Sequence, residues 1–255
     1  MTTSLLLNHS YVTPDAPTFE AVERSAFLSR FCALEKRTTV RKDATYTGLY
    51  LYGERTYLEF LHPDSTSFGA PSGIAYGVEE PGAIDQVARE IPAPALALIS
   101  RGEVPWFRWC RSQRPLEGLA EWVMEYVPEF FTGFHPELPP ERPGISRADA
   151  LTRYVAACGK LHARAEGLFE DVLALEIALA PNDAARWKAR TTDVKDVELR
   201  VATAPDGAPT GILAARLRLR RDAGKAVERI GNTTLSLDGN TAVWRFQRGS
   251  HGHLS

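Results

Sequence analysis

Cysteine is scarce in this chain. Cys32, Cys110 and Cys158 lie far apart, form no CxxC pair and are odd in number. Neither a disulfide framework nor a cysteine-based zinc site follows from them. Long apolar runs are missing as well. Nothing approaches the roughly 18 residues that span a bilayer. Met1–Leu7 lacks the positive start and the apolar length of a signal peptide, so a soluble, cytoplasmic protein is expected, with no membrane partner. Charge of one sign is not in excess. The formal net charge is −2, which supplies no general field for nucleic acid, and none is expected as a partner. Most of the basic residues are Arg, which a GC-rich genome explains as simply as any ligand does. Several catalytic signatures are also absent. There is no P-loop, no GxGxxG and no HExxH, and Gly69-Ala70-Pro71-Ser72-Gly73 has the wrong spacing for a nucleophile elbow.

What is present is an ordinary globular composition over 255 residues, 44 % hydrophobic and 24 % charged, enough for one large domain or two to three small modules. Residues 5–63 read as β-α-β-β-β. The first strand is Leu5–Val12, with Leu7, His9 and Tyr11 on one face. A turn at Thr13–Pro17 follows, and Thr18 is a candidate cap for a helix carrying Phe19, Val22 and Ala26. Strands are then expected at Glu35–Val40, Thr45–Tyr52 and Thr56–Leu61, the last two joined at Gly53-Glu54. Residues 73–131 repeat the order. Strand Ile74–Val78 leads to a helix opened by Pro81, with Ile84, Val87, Ala88 and Ile91 at helical spacing. Strands at Ala95–Ile99, Trp106–Arg111 and Glu121–Val127 complete it.

Residues 138–168 read as a Pro-rich linker, through Pro139-Pro140 and Pro143-Gly144, and a helix with a capping box at Ser146 and Asp149. Residues 169–248 return to β-α-β-β-β, with strands at Val172–Ala180, Val197–Thr203, Ile212–Arg220 and Thr241–Phe246, and a possible extra one at Thr233–Leu237. Residues 249–255 form a flexible tail. The fold class expected is therefore α+β: three related modules, 5–63 and 73–131 paired within residues 1–137, and a linker helix before the third.

The first two modules look like a duplication. An offset of 66 places Val12 on Val78 and Glu59 on Glu125, so one shift aligns the ends of both opening strands and both closing strands. His9 then falls on Ala75. The third segment aligns more loosely, Pro14 with Pro181, and puts Glu176 in the His9 slot.

Leu7-Asn8-His9-Ser10-Tyr11-Val12-Thr13-Pro14-Asp15, Tyr57-Leu58-Glu59-Phe60, Ile74–Pro81 and Val123-Met124-Glu125-Tyr126 together resemble the vicinal oxygen chelate superfamily of glyoxalase-like, bleomycin-resistance-like and extradiol-dioxygenase-like proteins. The resemblance is to a glyoxalase-like branch, covers most of residues 5–131 and extends weakly over 170–247. It implies that two modules curl into an incomplete barrel around a metal held by a His on each opening strand and a Glu on each closing strand. His9, Glu59 and Glu125 match three of those positions, and Ala75 departs from the fourth.

One imidazole and two carboxylates suit Zn, Mn, Fe or Mg. The expectation drawn from the resemblance is a lyase or isomerase that stabilises an enolate on a small oxygen-bearing metabolite, with Glu59 and Glu125 moving the proton. The empty second histidine slot disfavours ring-cleaving dioxygenation. The alternative is a metal-free module that sequesters a small molecule between aromatic walls. Tyr50, Tyr52, Trp106, Trp109 and Arg41 are the candidate ligand contacts. His9 read alone is as readily a core histidine, and Tyr46, Tyr50 and Tyr52 as readily core packing. His62 and His135 read as loop histidines. Arg37 and Arg108 are candidates for an anion but as simply solvated, as are Arg216, Arg218 and Arg220 alternating with Leu217 and Leu219. The third module has no evident partner within the chain, which leaves open a homodimer across a two-fold axis or packing through the linker helix.

Overall fold

A computed structural model describes residues 4–40, 45–65, 69–91, 93–139, 145–189 and 194–246. In chain order its elements are β1 (Leu6–Val12), α1 (Ala16–Arg24), α2 (Leu28–Phe31), β2 (Ala33–Val40), β3 (Thr45–Tyr52), β4 (Tyr57–Leu61), β5 (Ser72–Gly77), α3 (Ala83–Glu90), β6 (Pro94–Arg101), β7 (Val104–Ser112), β8 (Ala120–Tyr126), α4 (Pro128–Gly133), α5 (Arg147–Ala157), α6 (Leu161–Glu166), β9 (Phe169–Leu179), α7 (Pro181–Lys188), β10 (Glu198–Thr203), β11 (Gly211–Leu219), β12 (Lys225–Ile230), β13 (Thr233–Asp238) and β14 (Thr241–Phe246). The fold is α+β. Parts of the expected linker (residues 140–144), Arg41 and the expected tail, with His251 and His253, lie outside the described residues.

The first eight strands form one curled sheet, in the order β2-β3-β4-β1-β5-β8-β7-β6. Each half is wired alike: the opening strand runs parallel to the closing one, β1 with β4 and β5 with β8. The halves join where β1 and β5 pair antiparallel, with His9 opposite Ala75. The result is an incomplete barrel.

The outer face of this sheet carries Leu49, Leu51, Leu58, Phe60, Ile74 and Val123, and packs on α1, α3 and the second sheet. Phe60 meets Trp244 at 4.9 Å and Phe31 meets Phe169 at 6.3 Å. The second sheet, β10-β9-β11-β14-β13-β12, is wired differently. Its opening strand β9 takes as parallel partner the strand directly after the helix, β10, and its segment holds six strands rather than four. Its apolar face is buried on the first sheet, so the third segment finds its partner inside the chain. The opposite face carries Arg216 and Arg218, exposed, with Arg218 3.7 Å from Glu170 and Arg220 paired with Glu54. This is a solvated, ion-paired surface.

Several local expectations shift. Helix α1 is capped by Asp15, whose Oδ1 accepts from the Thr18 backbone N–H at 2.8 Å. Thr18 lies a turn inside and is used elsewhere: its Oγ1 accepts from the Asn232 backbone N–H at 2.9 Å. The β12–β13 turn approaches so closely that a Cβ on Gly231 (φ +57°) would stand 2.6 Å from Thr18 Cα. Helix α3 begins at Ala83 after Gly82 rather than at Pro81. Ser146 does stand at the N-cap of α5, but its side chain makes no capping bond. Helices α2, α4 and α6 and the edge strand β12 were not anticipated.

Buried charges hold the parts together. Asp171 on β9 accepts from the Arg55 and Thr56 backbone N–H groups, the Thr56 hydroxyl and Arg55 Nε, all within 3.0 Å. Arg147, the first residue of α5, donates Nε to Glu79 at 3.0 Å and Nη1 to Asp196 at 2.7 Å, and Nη1 also bonds the Leu7 carbonyl. It thereby ties β1, the end of β5, the linker helix and the third segment. Gly77 makes room for it, since a Cβ there would meet Arg147 Cδ at 3.0 Å. Arg147→Met leaves two carboxylates without their counter-ion, so a stability loss of about 3–5 kcal/mol is expected. Urea unfolding measures it, and a loss below about 1 kcal/mol would show that the network is dispensable.

Candidate functional site

The alternation of each strand decides what meets what on the inner face of the barrel. On β4, Tyr57 and Glu59 point inward while Leu58 and Phe60 join the outer core. On β1, His9 stands opposite Tyr57 and Tyr11 opposite Glu59. On β8 the inward residues are Trp122, Met124 and Tyr126, and Val123 faces outward. Glu125 follows Val123 to the outer face. Its carboxylate there accepts from the backbone N–H groups of Gly82, at 3.1 Å, and Ile84, at 3.0 Å. Arg108 Nη1 is 3.9 Å away. Glu125 is therefore an acceptor for the free N–H groups that open α3, where a negative charge also suits the helix dipole.

The three expected metal ligands accordingly do not converge. His9 and Glu59 share the inner face, and Glu125 lies across the sheet from them. Among the described residues no group of three His, Cys, Asp or Glu side chains stands together to hold a metal ion. His9, Glu59 and Glu125 therefore do not fit a divalent ion in common. The cause is a one-residue difference in register. Tyr11 faces Glu59, but Gly77, its counterpart 66 residues on, faces Met124. The opening strands align at one offset and the closing strands at another, so the residue that replaces Glu59 in the second half is Met124.

The same register puts Tyr57 and Trp122 at equivalent positions, and they enclose His9. The imidazole stacks on Tyr57 with centroids 4.3 Å apart and meets Trp122 edge-on at 5.3 Å. Its Nδ1 is 2.8 Å from Asn8 Oδ1. Burial pushes His9 down from its ordinary 6.5 to about 3, so the ring is neutral. Glu59 is 5 % exposed, and its Oε1 has no hydrogen-bond partner. Burial raises its carboxyl from 4.5 to about 7, against the pull of Tyr50 and Arg37 in the other direction. The side chain folds over Gly48: a Cβ there would lie 2.7 Å from Oε1 and 3.2 Å from Tyr50 Cε2.

Tyr50 and Tyr52 are buried beside it, stacked at 6.0 Å. Arg37 lies over the Tyr50 ring, 4.1 Å from its centroid, and 3.7 Å from Glu35, which also accepts from the Tyr52 hydroxyl at 2.5 Å. Trp109 stands opposite Met124, with Arg111 against its ring. Trp106 belongs instead to the packing of α4 and α5: it stacks on Phe130 at 5.8 Å and leans on Tyr154 at the same distance. Together with Leu151 and Ile145 these residues cover one end of the inner face. Arg41 is outside the described residues. Arg108 is held by Asp85 on the outer side. His62 accepts from the Asp64 backbone N–H, and His135 pairs with Glu137 at 2.7 Å, both in loops.

The sequence reading passed over Trp122 and Gly48 as site residues. The signal for Trp122 was present: shifting the alignment by one sets Trp122-Val123-Met124 on Tyr57-Leu58-Glu59, aromatic on aromatic.

A family model described as a family of unknown function, DUF5829, matches residues 7–246. The chain belongs to that family. The DUF5829 match runs from within β1 to the end of β14, so the barrel, the linker helices and the second sheet fall within one family unit. No curated protein matches the chain. No helix among the described residues is long and apolar enough to cross a membrane.

The two buried groups titrate in opposite senses. Between pH 4.5 and about 7 folded Glu59 keeps a proton that the unfolded chain has released, so this group lowers stability as pH rises. Between about 3 and 6.5 unfolded His9 takes a proton that the folded site refuses, so His9 lowers stability as pH falls. Relative to the parent, Glu59→Gln is expected to gain about 3 kcal/mol as pH rises from 4.5 to 8. Urea midpoints measured across that range test this, and parallel curves for parent and variant would refute the assignment to Glu59.

Proposed function

We propose that this protein binds a small organic molecule without a metal ion, the ligand seating on the inner face of the barrel beside Glu59. Pairs of β-α-β-β-β halves joined through their opening strands, as in the vicinal oxygen chelate superfamily, support a glyoxalase-like ancestry. The single observation that carries the reading is the Glu59 carboxyl, buried among aromatic rings with one oxygen unpartnered. Buried polar atoms are satisfied as a rule, and an exception inside a concave aromatic surface points to a missing partner.

A metal-dependent lyase or isomerase is the less favoured reading. It needs Glu125 beside His9, and Glu125 is engaged at the start of α3. We further infer a cytoplasmic setting, which the three free cysteines suit.

The test is a thermal-shift screen of ring-bearing small metabolites against protein dialysed with a chelator, with affinities of the hits then measured in two variants. Glu59→Gln is expected to weaken binding about tenfold or more, by loss of a hydrogen bond to a charged group. Glu125→Gln is expected to leave affinity within about twofold while costing about 1–2 kcal/mol of stability at the α3 cap. Binding that appears only when a divalent metal is added, or that ignores Glu59, would overturn the proposal.

A further inference from the structure

The charges around Glu59 narrow the class of ligand, on the reading that a ligand sits there at all. Six polar or aromatic side chains stand on its own strand and on the strands around it, of which Tyr50 and Arg37 act on the carboxyl directly. Arg37 and Glu35 come from β2, Tyr50 from β3, Tyr57 from β4, and His9 and Tyr11 from β1. Arg37 is the cation among them, and it is committed: its guanidinium lies on the Tyr50 ring and its carboxylate partner is Glu35. Among the described residues no Arg, Lys or His nitrogen is recorded within ion-pair distance of Glu59. Of the other buried cations, Arg147 is held by Glu79 and Asp196, and Arg153 donates to the Asp149 and Leu138 carbonyls. Tyr11 turns its hydroxyl away to the Ala70 carbonyl, 2.9 Å off.

An ionised carboxylate buried without a counter-ion is costly, and an incoming positive charge relieves that cost. An anion would meet repulsion from Glu59 and Glu35. A neutral donor would satisfy the oxygen and leave the charge uncompensated. The rings complete the argument, because the faces of Tyr and Trp attract a cation that has left water.

We propose that the inner face takes a small organic cation, an amine or ammonium compound with an apolar body, whose N–H donates to Glu59 Oε1 among the aromatic walls. The mode is cation–π contact plus one charge-assisted hydrogen bond. Seating the cation also draws Glu59 to its ionised form, so binding near neutral pH releases part of a proton.

The experiment uses three probes of one shape: benzylamine, benzyl alcohol and benzoate. Isothermal titration of the full chain at pH 7 is run in phosphate and in Tris, which differ in ionisation enthalpy. Benzylamine is expected to bind about tenfold or more tightly than either isostere, with an apparent enthalpy that changes between the buffers. Glu59→Gln, which keeps the side chain's volume, should erase the preference. Gly48→Ala crowds Oε1 and the Tyr50 ring without touching a backbone atom closely, and should weaken benzylamine alone. Circular dichroism confirms that both variants fold. Equal or tighter binding of the alcohol or the acid overturns the cation assignment and leaves a binding protein standing. Failure of all three probes at millimolar concentration overturns the assignment too. The broader reading fails separately, when the metal-free screen returns no Glu59-dependent hit of any charge.

Discussion

Both faces of the central strands β1, β4 and β5 are buried, and this constraint governs the rest of the molecule. An open barrel normally leaves its hollow to solvent. Here the outer face is covered by a second sheet and two helices, and one end of the inner face by α4 and α5. A charged side chain on any central strand therefore needs a partner on its own side. Arg147 has two carboxylates and a carbonyl, Asp171 has four donors, and Glu125 has two backbone N–H groups. Glu59 differs from these three in that one of its oxygens has no hydrogen-bond partner.

Strand parity explains what the sequence disclosed and what it concealed. Period-two patterns and turn residues were enough to find most strands of the barrel, since each covers an apolar surface on at least one side. Which face a given residue takes depends on pairing register, and a slip of one residue reverses it. Glu125 was assigned inward because Val12 and Val78 fixed the offset at the opening strands. The closing strand of the second half is shifted by one, and nothing local to Val123-Met124-Glu125-Tyr126 announces that. The aromatic match of Trp122 to Tyr57 did announce it, but weighed less than the match of two glutamates. His9 was set on one face with Leu7 and Tyr11, but a register shift between Leu7 and His9 turns Leu7 to the outer core, and the stacking of His9 on Tyr57 follows from a cross-strand pairing that only three dimensions supply.

Partner choice between distant strands was equally hidden. In the third segment the strand positions were largely readable, from Phe169–Leu179 to Thr241–Phe246, but β9 pairs with the strand that follows its helix rather than with the last one. That difference turns on which edge is free when the helix ends, a property of the whole sheet. Strand β12 escaped notice for a simpler reason. Lys225–Ile230 is a mostly exposed edge, with Val227 65 % exposed, so it carries little of the alternation that burial imposes. The helix caps moved by similar logic. Asp15 and Thr18 are both good cap residues, and the choice fell to Asp15 because Thr18 is taken up by the approach of Asn232 from the second sheet.

The linker decides how much of the inner face is left for chemistry. Tyr154 and Leu151 on α5 fill the end that holds Tyr52, Tyr57 and Tyr126, and burial there pushes the hydroxyls of both Tyr154 and Tyr126 up in pKa. That end is sealed core. Gly48, Glu59 and Tyr11 lie further along the same inner face, and Trp122 packs against that core. On the proposed reading, the Glu59 oxygen left without a hydrogen-bond partner would take one from outside the chain. On that same reading the rings beside it would serve as walls for the ligand, although along α5 the same kind of ring is packed as core.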